Sequence, residues 1–148
     1  MENLNSMPAV EFIKVAENAI LPTKAHPTDT GYDLYCTVPT VVPAMGQAVV
    51  PVGIKVGYIP DGYWFKIESR SGLSFKSNLL AHPGVIDNGY RGDLGVKMYN
   101  HGKTDYTFNP GDRVAQMAFY FNLNLDVKWG TEAKAADRGE KGHGSSGK

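Results

Sequence analysis

The sequence predicts an all-β fold, a sandwich or barrel of short strands, and three observations carry that reading. Seventeen glycines and nine prolines are spread through the 148 residues, which argues against a helical bundle. Most apolar segments are short and separated by Gly, Pro or Asn, the pattern of strands joined by turns. Asn88-Gly89 lies between apolar runs. An Asn-Gly pair so placed is the strongest short hairpin signal, because both central residues of the favoured turn need positive φ. Asp87 and Tyr90 then flank a rigid turn.

In chain order, Met7 to Val15 alternates loosely and predicts a first strand with Val10, Phe12 and Ile13 inward. Pro22 to Asp29 reads as a loop, and Thr30 to Cys36 as a strand that places Asp33 between apolar neighbours. Pro39 and Pro43 demote Val38–Met45 to an edge or a connection. Gln47–Val52 and Ile54–Ile59 are β-branched runs interrupted by Pro51 and Gly53. Pro60-Asp61-Gly62 has turn chemistry, and Tyr63–Ile67 is the next strand. Glu68 to Lys76 breaks the alternation, and Leu73, Leu79 and Leu80 mark the one short helix. After the Asp87 hairpin come a polar turn at Asn100–Asp105, a short strand at Tyr106–Phe108 and a turn at Pro110–Asp112. Arg113–Leu125 predicts a long strand that Val127–Trp129 extends. Residues 1–131 make the β domain and 132–148 a flexible arm, since the small, charged, glycine-rich end cannot form a core.

The totals narrow the function classes. Fifteen basic and fifteen acidic residues leave no net field toward nucleic acid or a membrane surface, so direct binding to either is not expected. The single Cys36 has no partner for an internal disulfide, which fits a reducing, cytoplasmic setting. No signal peptide and no span of about 20 apolar residues is visible. No His/Cys spacing suggests zinc.

Five segments carry chemistry: Thr30–Leu34, Arg70–Leu73, Gly84–Gly92, Gly111–Met117 and Arg138–Gly147. Arg70-Ser71-Gly72 offers a cationic fork, a hydroxyl and a glycine that lets backbone N–H groups approach an anion, which suits phosphate oxygens. On its own the triplet is more often a surface turn, and Asp87 alone a turn-forming acid. Taken in order and spacing, the five segments resemble the homotrimeric dUTP pyrophosphatases, with Gly84-Val85-Ile86-Asp87-Asn88-Gly89-Tyr90-Arg91-Gly92 the most specific.

That resemblance implies a jelly-roll-like fold, a homotrimer with sites shared between subunits, Mg²⁺ as cofactor, and hydrolysis of dUTP to dUMP and pyrophosphate. Such an activity limits uracil in DNA and supplies dUMP for dTMP synthesis. It makes Asp87 the general base for a water attacking the α-phosphorus. Arg70 supports the acid and the phosphates, and Gln116 contacts the phosphates or the water. Val85 and Ile86 belong to the stretch whose backbone reads uracil, where a mismatched base leaves buried polar groups unpaired. Tyr90 lies against the deoxyribose. Ser71, Gly72, Lys97, Arg113, Arg138, Ser145 and Ser146 bind substrate, and Asp33 touches the metal through water. Ser69 stands where the family usually has proline.

Gly142 to Lys148 has the spacing of a phosphate-binding P-loop, but such a loop needs a following helix and a Ser or Thr after the lysine, and the sequence ends at Lys148. By resemblance it is part of the fifth motif, with His143 where most members have phenylalanine, stacking on uracil beside Gly144. A dCTP deaminase on the same fold is the first rival, and Asp87 and Gly72 argue against it. A nucleotide-binding regulatory trimer is the second, and intact Asp87 and Arg138 argue for activity. The setting is the cytoplasm, or a host cell's cytoplasm or nucleus if the source is viral.

Overall fold

A computed structural model describes residues 7–142. Its elements in chain order are β1 (Glu11–Lys14), β2 (Tyr32–Tyr35), β3 (Thr40–Val42), β4 (Gln47–Tyr58), β5 (Tyr63–Glu68), α1 (Ser71–Ser77), β6 (Leu79–Ala81), β7 (Gly84–Ile86), β8 (Asp93–Asn100), β9 (Tyr106–Phe108) and β10 (Arg113–Phe121). One four-stranded sheet runs β1-β4-β8-β6 and a second runs β2-β10-β5-β7, with β3 paired to β9 apart from both. Every pairing is antiparallel. The architecture is the expected all-β, jelly-roll-like one, with a single short helix among the described residues.

Period-two alternation builds the core. Val50, Val52, Ile54 and Val56 of β4 and Leu94, Val96 and Met98 of β8 face Phe65 and Ile67 of β5 and Ala115 and Met117 of β10. Burial of each larger side chain contributes about 1.5–3 kcal/mol, so this double layer outweighs any single turn preference. Asn100, buried at the end of β8, donates to the carbonyls of Val42 (3.0 Å) and Thr104 (2.9 Å) and accepts from Gly102 N (2.9 Å). One amide thereby closes the polar turn after β8 and joins it to β3.

The expected hairpin at Asn88-Gly89 is not a hairpin. β7 pairs with β5, whereas β8 pairs with β4 and β6, so the turn links the two sheets. Neither Asn88 nor Gly89 has positive φ. The turn itself survives, closed by Tyr90 N donating to Asp87 O at 3.0 Å. The asparagine side chain decides the outcome: Asn88 Nδ2 donates to Pro60 O (3.0 Å) and Tyr63 O (2.8 Å), fastening this turn to the one between β4 and β5.

Four other boundaries shift. α1 stops at Asn78, whose φ of 56° is a left-handed C-cap with its N–H on Leu73 O. Leu79 and Leu80 therefore join strand β6, opposite Asn100 and Tyr99. β4 is one strand through Pro51 and Gly53, with a register shift there; Gly53 (φ 67°) turns its carbonyl to Val15 N and Ala16 N. β10 ends at Phe121, and neither the rest of the run to Leu125 nor Val127–Trp129 is strand. Ile13 is half exposed, while Val10 and Phe12 pack on the core as expected. No helix of the described residues is long and apolar enough to cross a membrane.

Candidate active site

The second sheet brings three of the five segments together by register. Gln116 of β10 lies opposite Asp33 of β2 on one side and Glu68 of β5 on the other. Arg70 follows β5 in extended backbone, and Ser71 and Gly72 open α1. The first N–H groups of a helix have no partner within it, so these two residues present donors. A polar cavity of about 260 Å³ results, lined by Asp29, Gly31, Asp33, Arg70, Ser71, Gly72, Arg113 and Gln116 among others.

Asp33 is the electrostatic centre. Its Oδ1 lies 3.2 Å from Arg70 Nε and its Oδ2 3.7 Å from Arg113 Nε, with 15% of the side chain exposed. The carboxylate thus spaces two guanidinium groups across one cavity, and their outer N–H donors suit a polyanion. Gln116 Nε2 donates to Ser69 O at 2.9 Å. A Cβ on Gly31 would collide with that Gln116 side chain, so the glycine makes room for the amide. Ser69 itself accepts from Ala81 N through Oγ at 2.9 Å, tying the Arg70 loop to β6. A proline there has no such acceptor, so this chain replaces ring rigidity with a hydrogen bond.

Asp87 and Tyr90 are exposed and line none of the cavities described here. Ile86 pairs with Phe65 in an antiparallel ladder, so Asp87 leaves the sheet at the level of Trp64. Arg70 is six residues further along the chain. At about 3.3 Å per extended residue, the acid and the cation stand roughly 20 Å apart within one chain. Tyr90 folds back over Gly92, where a Cβ would meet its hydroxyl, and the hydroxyl donates to Asp93 O at 3.2 Å.

Other expected residues are placed elsewhere. Val85 and Ile86 lie in β7, away from the polar cavity. Lys97 lies on β8 in the first sheet, its Nζ 5.7 Å from the Tyr99 ring. Arg138 donates to carbonyls of its own arm, from Nε to Lys141 O (3.0 Å) and from Nη2 to Gly142 O (2.6 Å). His143, Gly144, Ser145 and Ser146 fall outside the described residues. Asp29 lines the cavity from just before the first segment and was not singled out by the motifs, while Gly31 lies inside that segment and Ser69 directly precedes Arg70. Another cavity, of about 410 Å³ between Val10, Phe12, Leu21, Tyr32 and Phe119, is mainly apolar and is lined by none of these charged side chains.

A family model described as dUTPase matches residues 17–147. The chain belongs to the dUTPase family. It is a hydrolase of dUTP. The deoxyuridine 5′-triphosphate nucleotidohydrolase of Oryza sativa subsp. japonica is 40% identical over 140 residues, covering 95% of this chain and 81% of that protein. A mutant dUTPase of Staphylococcus bacteriophage 80alpha with dUpNHpp superposes with a TM-score of 0.86 at 29% identity, covering 94% of this chain and 98% of the other. A mutant dUTPase from phage phi11 of S. aureus, described with a structural Mg(II) ion, superposes at 0.78 with 27% identity, covering 86% and 99%.

Proposed function

We propose that this dUTPase acts as a homotrimer in which each site combines the phosphate pocket of one chain with Asp87 and Tyr90 of another. The observation that carries this is the separation of about 20 Å between Asp87 and Arg70 along a single chain. A base must reach its water at hydrogen-bond distance, so the two groups serve one substrate only when they come from different copies. Fully exposed Leu123, Leu125, Val127 and Trp129, apolar at every second position, support an assembly that covers them.

In that site Arg70, Ser71, Gly72 and Arg113 hold the triphosphate, while Val85, Ile86 and their backbone neighbours read uracil. Tyr90 packs on the deoxyribose, and Gln116 orients the water or a phosphate oxygen. Asp87 takes a proton from that water as its oxygen bonds to the α-phosphorus. The bond from the α-phosphorus to the bridging oxygen breaks, and pyrophosphate leaves. Arg138, His143, Gly144, Ser145 and Ser146 close over the nucleotide from the arm, and Lys97 adds positive charge. Electrostatic positioning supplies most of the catalysis.

Mg²⁺ fits as a companion of the triphosphate. Among the described residues no group of three or more His, Cys, Asp or Glu is placed to cage a metal, and both Asp33 oxygens face guanidinium groups. Asp33 would contact the ion through retained water, with direct ligands from the triphosphate, as the octahedral preference of Mg²⁺ allows. When bound, the ion offsets charge on the phosphates. The proposed setting is the cytoplasm, or a host cell's cytoplasm or nucleus.

Two assays test this. With Mg²⁺, pyrophosphate should form from dUTP and not from dTTP, dCTP or UTP. Arg70→Ala and Asp87→Asn should each be inactive alone, and co-assembly of the two should restore activity through the sites that receive both intact halves. An inactive co-assembly removes the shared site.

A further inference from the structure

We propose that Asn88 is a positioning residue for this hydrolase: its side-chain amide pins the turn that carries Asp87 to the turn between β4 and β5, and so fixes where the acid presents its carboxylate. The inference rests on the reading of Asp87 as the base and adds the group that holds it in place.

The stretch from Asp87 to Gly92 needs holding. β7 ends at Ile86 in the second sheet and β8 begins at Asp93 in the first, so the residues between them cross from one sheet to the other outside any ladder. Several of their hydrogen bonds are local. Tyr90 N donates to Asp87 O, Arg91 Nη1 donates to Asn88 O (2.6 Å) and Tyr90 O (2.9 Å), and the Tyr90 hydroxyl donates to Asp93 O (3.2 Å). Bonds of this kind give the turn its shape but not its place. Among the described residues, only the Asn88 side chain hydrogen-bonds from this stretch to a distant part of the chain, with Nδ2 3.0 Å from Pro60 O and 2.8 Å from Tyr63 O. Asn88 is accordingly half-buried, while Asp87, Gly89 and Tyr90 around it are exposed.

The acceptors fix the orientation of the amide. Both are carbonyl oxygens, which cannot donate, so the amide nitrogen must face them and can give one N–H to each. The seat is itself held. Pro60 O also accepts from Tyr63 N at 3.2 Å, which closes the β4–β5 turn, and Gly62 O accepts from Asn122 N at 2.8 Å. The Tyr63 ring packs edge-on against Phe121 with centroids 5.0 Å apart, at the last pair of the β5–β10 ladder. Asn88 thus ties the acid to the paired ends of two central strands.

Loss of this tie falls on Asp87 more than on nucleotide recognition. Val85 and Ile86 remain in their ladder with Lys66 and Phe65, and Tyr90 keeps its own bond to Asp93 O. Asp87 stands directly between the last ladder residue and Asn88. A base must reach its water at hydrogen-bond distance, and a misplacement of about 1 Å costs about a hundredfold in rate.

Two substitutions remove the donors in different ways. Asn88→Ala deletes the amide, and Asn88→Asp keeps its shape but sets carboxylate oxygens against the two carbonyls. In both, kcat for dUTP should fall about tenfold, the scale of a displacement somewhat under about 1 Å, while KM and the dissociation constant of a non-hydrolysable dUTP analogue stay within about threefold of the parent. Kinetics are run well below each variant's melting temperature, where a merely structural tie would cost stability and leave kcat alone. A folded Asn88→Ala with parental kcat overturns the proposal, as does a loss carried by KM and analogue binding rather than by kcat. If either variant does not fold, the other decides alone. Asp87→Asn separates this inference from the one beneath it. Normal turnover in that variant removes the base and the positioning role together, whereas an inactive Asp87→Asn beside a parental Asn88→Ala removes the positioning role alone.

Discussion

Gly31→Ala tests the architecture of the proposed phosphate pocket with one methyl group. A Cβ at this position would lie 2.8 Å from Gln116 Cδ and 2.9 Å from Gln116 Cβ, and closer still to Oε1. The far amide can swing, but Gln116 Cβ is held by β10 in register with Asp33. Relief therefore requires the side chain to leave Ser69 O, giving up a bond of 2.9 Å worth about 1 kcal/mol. Overpacking against the strand adds about 1–3 kcal/mol. The sum of about 2–4 kcal/mol corresponds to a fall in melting temperature of roughly 5–15 °C for a chain of this size. Because Gln116 is proposed to contact the water or the phosphates, kcat should fall more than KM changes. Calorimetry at fixed protein concentration and steady-state kinetics with dUTP measure both. A variant that melts within a degree of the parent and turns over normally would refute the close packing of Gln116 on Gly31.

Three further outcomes are expected. Ser69→Ala leaves Ala81 N without its 2.9 Å acceptor and should cost about 1 kcal/mol, with a raised KM for dUTP as the Arg70 loop loosens, read by melting and kinetics. Gly62→Ala places a Cβ 2.6 Å from Phe121 Cε2 at a φ of 84°, and should destabilise by about 2 kcal/mol in denaturant titration while KM stays unchanged. Burial raises the pKa of Cys36 above its ordinary value, so its neutral thiol stabilises the fold fully below that value. Stability should then decline as pH rises through the ordinary thiol range, about 8–9, toward the folded value, and alkylation at pH 8 should follow global unfolding.

The family was legible because its motifs are written in short contiguous segments. Arg70-Ser71-Gly72 and the stretch from Gly84 to Gly92 each hold their candidate groups within a few residues, and the five segments in order pointed to the family that the family model matches. The β class was equally plain, since scattered Gly and Pro and period-two alternation are local properties. Less legible were features in which a distant group competes for a local one. Asn88-Gly89 has hairpin chemistry, but two carbonyls of the β4–β5 turn capture the asparagine, and the strands on either side go to different sheets. Leu79 and Leu80 extend a helical reading until a left-handed Asn78 ends it and β8 offers a ladder.

The same division holds at the active site. Residue order alone pointed to an all-β dUTP hydrolase and offered Asp87, Tyr90 and the arginines as candidates for its site. It did not show that Asp33 spaces Arg70 and Arg113, or that Gly31 makes room for Gln116. Nor did it show that antiparallel pairing of β5 with β7 puts Asp87 and Arg70 at opposite ends of one ladder. Those facts depend on register between strands distant in the chain. Register is set by which apolar faces share a core, a property of the whole packing that no single segment contains.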